Sequence, residues 1–193
     1  MKLFKKGLLA VVASILVTSS LHANDELKIL PLFLDDDYQC QIEVSLVAGH
    51  SSFHNSTLGS GTIYGIEGGF DCPVFTLPGD HILRQQLILT RYSKGNVDIT
   101  SIAMNPYYFV DLSDKLVLGF GPGIGGSKVD VGGRITWMFT YQAGAGLKYY
   151  FDNNIIVGID YRWQGSVQKD YLGTGSKDNL DNTTTMLKVG YRF

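Results

Sequence analysis

The chain has 193 residues, with 16 Lys and Arg against 18 Asp and Glu, 23 Gly, 11 Tyr, 10 Phe and only two Cys. A slightly acidic balance with no basic cluster excludes the electrostatic footprint of a nucleic-acid-binding protein, and no apolar run after Ala23 approaches the roughly 20 residues of a spanning helix. Glycine and aromatic residues in this abundance point to a β-barrel.

Residues 1–23 carry Lys2, Lys5 and Lys6, an apolar stretch from Gly7 to Val17, and then Leu21-His22-Ala23. This is the layout of a cleaved secretory signal peptide. The apolar stretch, about 11 residues, is too short for an uncleaved anchor. Cleavage before Asn24 leaves 13 basic against 18 acidic residues, a net charge of −5. Residues 24–39, ending near Asp35-Asp36-Asp37, have no clear period and read as a periplasmic lead-in; the barrel domain is expected over 40–193. An exported chain meets an oxidising compartment, so Cys40 and Cys72 are expected to form a disulfide.

From Cys40 the chain alternates, as a strand with two different faces requires. Ile42, Val44, Leu46 and Ala48 share one face, against Glu43, Ser45, Val47 and Gly49. The polar stretch His50 to Gly59 reads as a loop. Thr62 to Phe70 is a second strand, with Tyr64, Ile66 and Phe70 outward and Gly65, Glu67 and Gly69 inward. The Pro- and Gly-containing segment 71–80 breaks the pattern. A third strand from about His81 to Tyr92 sets Leu83, Leu87 and Leu89 against Arg84, Gln86, Ile88 and Thr90, and Ser93 to Asn96 is a tight turn. The fourth strand, Val97 to Val110, has ambiguous facing, since Asn105-Pro106 reads as a bulge or an edge-like irregularity.

After a turn at 111–115, a fifth strand, Leu116 to Ser127, puts Leu118, Phe120 and Ile124 opposite a face of glycines. Val129 to Ile135 reads as a loop. Strand six lines up Trp137, Phe139, Tyr141, Ala143, Ala145, Leu147, Tyr149 and Phe151 on one face, aromatic at both ends, as a lipid-facing strand between two interfacial girdles would be. A tight turn at 152–154 leads to strand seven, where Ile155, Val157, Ile159, Tyr161 and Trp163 alternate with Gly158, Asp160, Arg162 and Gln164. A mostly polar loop, 165–181, precedes strand eight. Eight strands put both chain ends on one side, and long connections are expected on the outer side.

The last stretch, Asn182 to Phe193, sets Leu187, Val189, Tyr191 and Phe193 on one face and Met186, Lys188, Gly190 and Arg192 on the other. This ending resembles the closing strand of bacterial outer-membrane barrels of the OmpA/OmpX type. The run Met104 to Leu116, followed by Gly119-Phe120-Gly121-Pro122-Gly123-Ile124-Gly125, resembles the opacity-type relatives of that family. The resemblance implies an eight-stranded antiparallel transmembrane β-barrel, an up-and-down meander, in the outer membrane beside lipid and lipopolysaccharide. It further implies that Leu187, Val189, Tyr191 and Phe193 form the signal read by the barrel-assembly machinery. It specifies no activity and names no surface ligand.

Glu43, Glu67, Arg84, Lys148, Asp160, Arg162, Lys188 and Arg192 are expected to face inward. An eight-stranded barrel is just wide enough for its side chains to fill it, so opposite charges should pair in a closed core; a small diffusion pore is the other reading. His50, Ser52 and His54 leave a third one open, since a His-x-Ser spacing also resembles the lipid A deacylases of the outer membrane, which use a His-Ser-Glu triad. That family's surrounding motif is absent, and no cofactor or metal motif is present. The expectation is a structural or surface-interaction barrel that is not an enzyme. Finally, if strands one and two form a hairpin in which Cys40 faces Cys72, the turn centres on residue 56, inside the polar stretch 50–59.

Overall fold

The computed structural model describes residues 41–55, 57–70 and 83–193. They form eight antiparallel strands closed into one barrel in sequence order, β8 pairing back onto β1. The strands are β1 (Ile42–Phe53), β2 (Ser60–Phe70), β3 (Leu83–Lys94), β4 (Val97–Asp111), β5 (Leu116–Val131), β6 (Arg134–Tyr150), β7 (Ile155–Ser166) and β8 (Asn182–Arg192). Both β1 and β8 begin and end the meander at one rim, the terminal end; the other rim is the loop end.

The alternation read from the sequence is the alternation of burial. Glu43, Ser45 and Val47 are buried while Ile42, Val44 and Leu46 are exposed, and the same pattern runs along β8. The result is inside-out. Leu46 is 69% and Leu187 64% exposed, whereas Glu67 is 2% and Lys188 1% exposed. Such a belt is stable only against lipid, and closure leaves no strand edge unpaired there.

A row of facing residues that leaves β1 at Glu43 passes Gly69, Gln86, Asn105, Gly123, Gln142, Gln164 and Asn182 and re-enters β1 at Phe53, ten residues further on, its β4–β5 step set by the register on either side. Eight strands with that stagger tilt by about 41° and give a backbone radius of about 8 Å. A barrel this narrow is filled by its own side chains.

Two expectations need correction. Residues 50–53 are strand, not loop, because Ser51 and Phe53 point inward and are buried. Ser51 Oγ donates to Asn182 Oδ1 at 3.4 Å and accepts from Thr184 Oγ1 at 3.0 Å, so its polarity is spent inside the barrel. Residues 129–135 are not a loop either. β5 and β6 continue to a two-residue turn at Gly132-Gly133, with φ of 59° and 92°; a hairpin turn of that hand requires positive φ at both positions, which glycine adopts freely.

Of the two readings of Asn105-Pro106, the bulge is excluded and the irregularity holds. The β4–β5 register is the same before Asn105 and after Tyr107, and the β3–β4 ladder runs unbroken through Pro106. Pairing with β5 lapses where Pro106 stands opposite Pro122, since neither can donate.

The first hairpin has the expected register: Ile42 faces Phe70 and Ser52 faces Ser60. Cys40, Cys72 and Ser56, the segments read as signal peptide and lead-in, and the connection 71–80 lie outside the described residues.

Candidate functional site

All eight residues expected to be inward-facing charges lie inside the barrel, where they form one connected network. Near the terminal end the Glu43 carboxylate accepts from Lys148 Nζ at 2.8 Å, Arg192 Nη2 at 2.8 Å, Arg84 Nη1 at 3.2 Å and Tyr150 Oη at 2.8 Å. Arg192 stacks over the Tyr150 ring, 3.8 Å from its centroid. Deeper in, Glu67 accepts from Lys188 Nζ at 2.6 Å and Arg162 Nη2 at 2.7 Å, and Asp160 takes the same two cations at 2.7 and 2.6 Å. Lys148 joins the two groups, reaching Glu67 at 3.8 Å.

These positions come together because strands place alternate residues inward at matched heights; Asp160 and Arg162, two apart on β7, share a face. Removing such charges from water is costly, and only multiple close partners compensate it.

Toward the loop end the interior changes character. Phe53, Leu58, Tyr92, Val97, Ile99, Val129 and Met138 form a buried apolar cluster, sealed by Tyr171 and Leu180 from the β7–β8 connection. That connection, residues 167–181, folds over the rim as a lid. Its ends are tied by paired backbone hydrogen bonds between Lys169 and Asp178, at 2.9 and 3.0 Å. Tyr171 Oη donates to the Asn179 carbonyl at 3.2 Å and accepts from Asn55 Nδ2 at 3.0 Å, and Asn55 also donates to Asp178. Burial, reinforced by the nearby Asp178 carboxylate, pushes the Tyr171 phenol up to about 12. The Asp170 carboxylate accepts from the amides of Gly173, Thr174 and Gly175, and Arg134 donates to both the carbonyl and the carboxylate of Asp170. Between charged network and apolar cluster lies a cavity of about 40 Å³ lined in part by Thr90, Ser101, Gln142, Asn182 and Thr184. It has room for one or two waters.

The other sequence candidates stand apart from this core. His50 and Ser52 share the outward face of β1, paired with Thr62 and Thr185 and with Ser60 and Thr183 respectively. His54 follows in the turn, its Nδ1 3.1 Å from the Asp181 carbonyl. Glu67, the acid the sequence offered for a His-Ser-Glu arrangement, is on the inner face and bound to Arg162 and Lys188, so among the described residues no such triad is assembled. Leu187, Val189, Tyr191 and Phe193 line the outer face of β8 and its end, where Phe193 N donates to the Ile42 carbonyl at 2.9 Å.

The residues that sequence reasoning missed are Asn105, Tyr107 and Phe109 on β4. Asn105 is fully buried and accepts from Gln142 Nε2, and the Arg162 guanidinium lies over the Tyr107 ring, 5.9 Å from its centroid. Both faces of β4 carry apolar residues, which hid its orientation. The two-residue turn after Lys94 held the missing signal, because it pairs Ile99 with inward-facing Tyr92 and so sends every odd residue of β4 inward.

No family model and no curated protein sequence matches the chain. Solved structures do. Neisserial surface protein A (NspA) superposes with a TM-score of 0.50 at 17% identity, over 79% of this chain and 95% of that one. Ail, the attachment invasion locus protein of Yersinia pestis, does so with a TM-score of 0.52 at 16% identity, over 81% and 100%. The fold is that of small eight-stranded outer-membrane β-barrels. Likeness at this level of identity establishes the architecture and leaves the activity open. Within a barrel of this type, the interior described above is a plug of paired charges capped by an apolar cluster.

Proposed function

We propose that the protein is a non-conducting, non-enzymatic barrel of the outer membrane that acts through its outer surface and loop end. The observation that carries this reading is the filled interior, in which each of the three acids is bound by at least two cations and the apolar cluster and lid close the loop end. In this orientation the terminal end faces the periplasm, and the lid, the longest described connection, faces outward, as the asymmetry of such barrels requires. Lipopolysaccharide and outer-leaflet lipid surround the belt; any surface ligand is unidentified. Against a lipid-modifying role, the His50–Ser52 pair has only hydroxyl-bearing residues as its cross-strand neighbours.

Two experiments test the reading together. The folded protein should fractionate with the outer membrane and migrate differently from the boiled one, and its overproduction should leave the mass spectrum of lipid A unchanged. Loss of an acyl chain from lipid A would instead make it a hydrolase.

Two expectations concern assembly. Deleting Phe193, which closes the β1–β8 seam at the periplasmic rim, should lower outer-membrane abundance several-fold on immunoblots of fractionated cells; undiminished levels would count against an assembly role. The register of the first hairpin supports a disulfide between Cys40 and Cys72, worth roughly 3–4 kcal/mol in the chain-entropy picture. Mass spectrometry after thiol alkylation without reductant should find neither cysteine labelled, and two labelled thiols would rule the bridge out.

A further inference from the structure

The outer face of the barrel is lopsided. On β6 an apolar column runs without a polar break from Phe151 through Tyr149, Leu147, Ala145, Ala143, Tyr141, Phe139 and Trp137 to Ile135, and at its upper end Trp137 is 62% and Phe139 53% exposed. Val167, also exposed, adjoins it, its amide donating to the Phe139 carbonyl at 3.1 Å. On β1 the corresponding column, Ile42 to Ala48, gives way to His50 and Ser52, flanked by Thr62 and Ser60 on β2 and Thr185 and Thr183 on β8.

The stagger of the barrel puts these two walls on one scale. Each residue along a strand advances about 2.5 Å along the barrel axis, and each step along a hydrogen-bonded row toward the next strand climbs about 3 Å. Five such steps separate β1 from β6, so Ser52 and Phe139 stand at the same height to within about 1 Å, with Trp137 about 5 Å higher. The apolar column of β6 therefore spans about 40 Å and that of β1 about 15 Å, against a belt of about 25 Å in barrels of this kind. One wall overshoots the hydrocarbon layer and the other falls short.

We propose that the upper β5–β7 wall is a lipid-binding surface, covered by outer-leaflet lipid well above the level at which the β8–β1–β2 wall emerges into water. The occupant follows from continuity, since the ridge prolongs the lipid-facing belt with no intervening polar position. Its flanks fit the same occupant. Lys128 pairs with Trp137 across the β5–β6 ladder, and Lys169 Nζ donates to the Trp137 carbonyl at 2.6 Å. Indole rings beside ammonium groups suit the zone where acyl chains meet phosphate headgroups. The mismatch is relieved by inclining the barrel or by lifting the leaflet along this wall. The inference rests on the membrane reading above, and the test keeps the two apart.

The chain has two tryptophans, Trp137 and Trp163. The protein would be refolded into phosphatidylcholine and phosphatidylglycerol vesicles with and without brominated acyl chains, in three single-tryptophan forms. These are Trp163→Phe, which reports on Trp137, and Ser52→Trp and Leu46→Trp, each in a Trp137→Phe/Trp163→Phe background; folding of each is checked by its heat-dependent migration. The Leu46→Trp reporter sits in the middle of the belt and should lose most of its emission in brominated lipid; if it does not, the membrane reading itself fails. Trp137 should also lose most of its emission and resist aqueous iodide, while the lower-lying Ser52→Trp reporter should keep its emission and be quenched by iodide. Iodide quenching of Trp137 as strong as that of the Ser52→Trp reporter would overturn the proposal. So would protection of Trp137 that disappears when the protein is diluted in lipid, which would make the ridge a contact between copies.

Discussion

Replacing Glu67 by glutamine is expected to lower the stability of the barrel by about 3–5 kcal/mol, the range found when one member of a buried ion pair is removed. The carboxylate is 2% exposed and sits between Lys188 and Arg162, with Lys148 at 3.8 Å. Five cations and three anions share this interior, so the change leaves five cations facing two acids. Glutamine can accept one of the lost hydrogen bonds and none of the lost charge. Urea unfolding of the refolded protein in vesicles, followed by tryptophan emission, measures the difference. Because the cost is that of stranded cations, adding Lys188→Met to Glu67→Gln should recover part of it, a coupling that independent sites would not show. Unchanged stability in the single variant would mean that the interior is hydrated and the charges are screened.

The second large effect is expected at the lid. Tyr171 and Leu180 fasten residues 167–181 into the apolar cluster, and Tyr171 alone bridges Asn55 and Asn179. Tyr171→Ala removes a buried ring, a loss of roughly 3–5 kcal/mol for aromatic truncation in a packed core, yet the ladder of β7 and β8 does not depend on it. Cleavage of the lid by proteinase K should therefore accelerate by orders of magnitude while the heat-dependent migration of the barrel persists.

The phenol adds a pH signature. Its pKa is raised in the closed lid from 10.0 to about 12, so burial contributes fully below about pH 10 and is lost as pH rises toward 12. Protection from protease should fall in that window in the native protein. In Tyr171→Phe the fall should be absent, which separates it from the titration of nearby lysines. If Tyr171→Ala leaves cleavage unchanged, the lid is held by other contacts.

What could be read from the residues alone was the periodicity. Strict alternation fixed the facing of β1, β6, β7 and β8, and with them Glu43, Lys148, Asp160, Arg162, Lys188 and Arg192, because a strand leaves only two choices for each side chain. What escaped was anything that composition misrepresents. Ser51 is polar and buried, so 50–53 passed for a loop; Gly132-Gly133 is a tight turn that resembles the middle of a long one. The apolar cap could not be anticipated, since Leu58, Tyr171 and Leu180 come from connections without a period. The pairing of particular charges was also out of reach, because it depends on the ten-residue stagger, which is a property of the closed barrel as a whole.

Whether the interior is closed is decided by single-channel recording of the wild-type protein in a planar bilayer. Paired charges, a cavity of about 40 Å³ and a sealed loop end predict no steady conductance above the bare membrane. Stable, voltage-independent open steps that scale with the amount of protein added would contradict it.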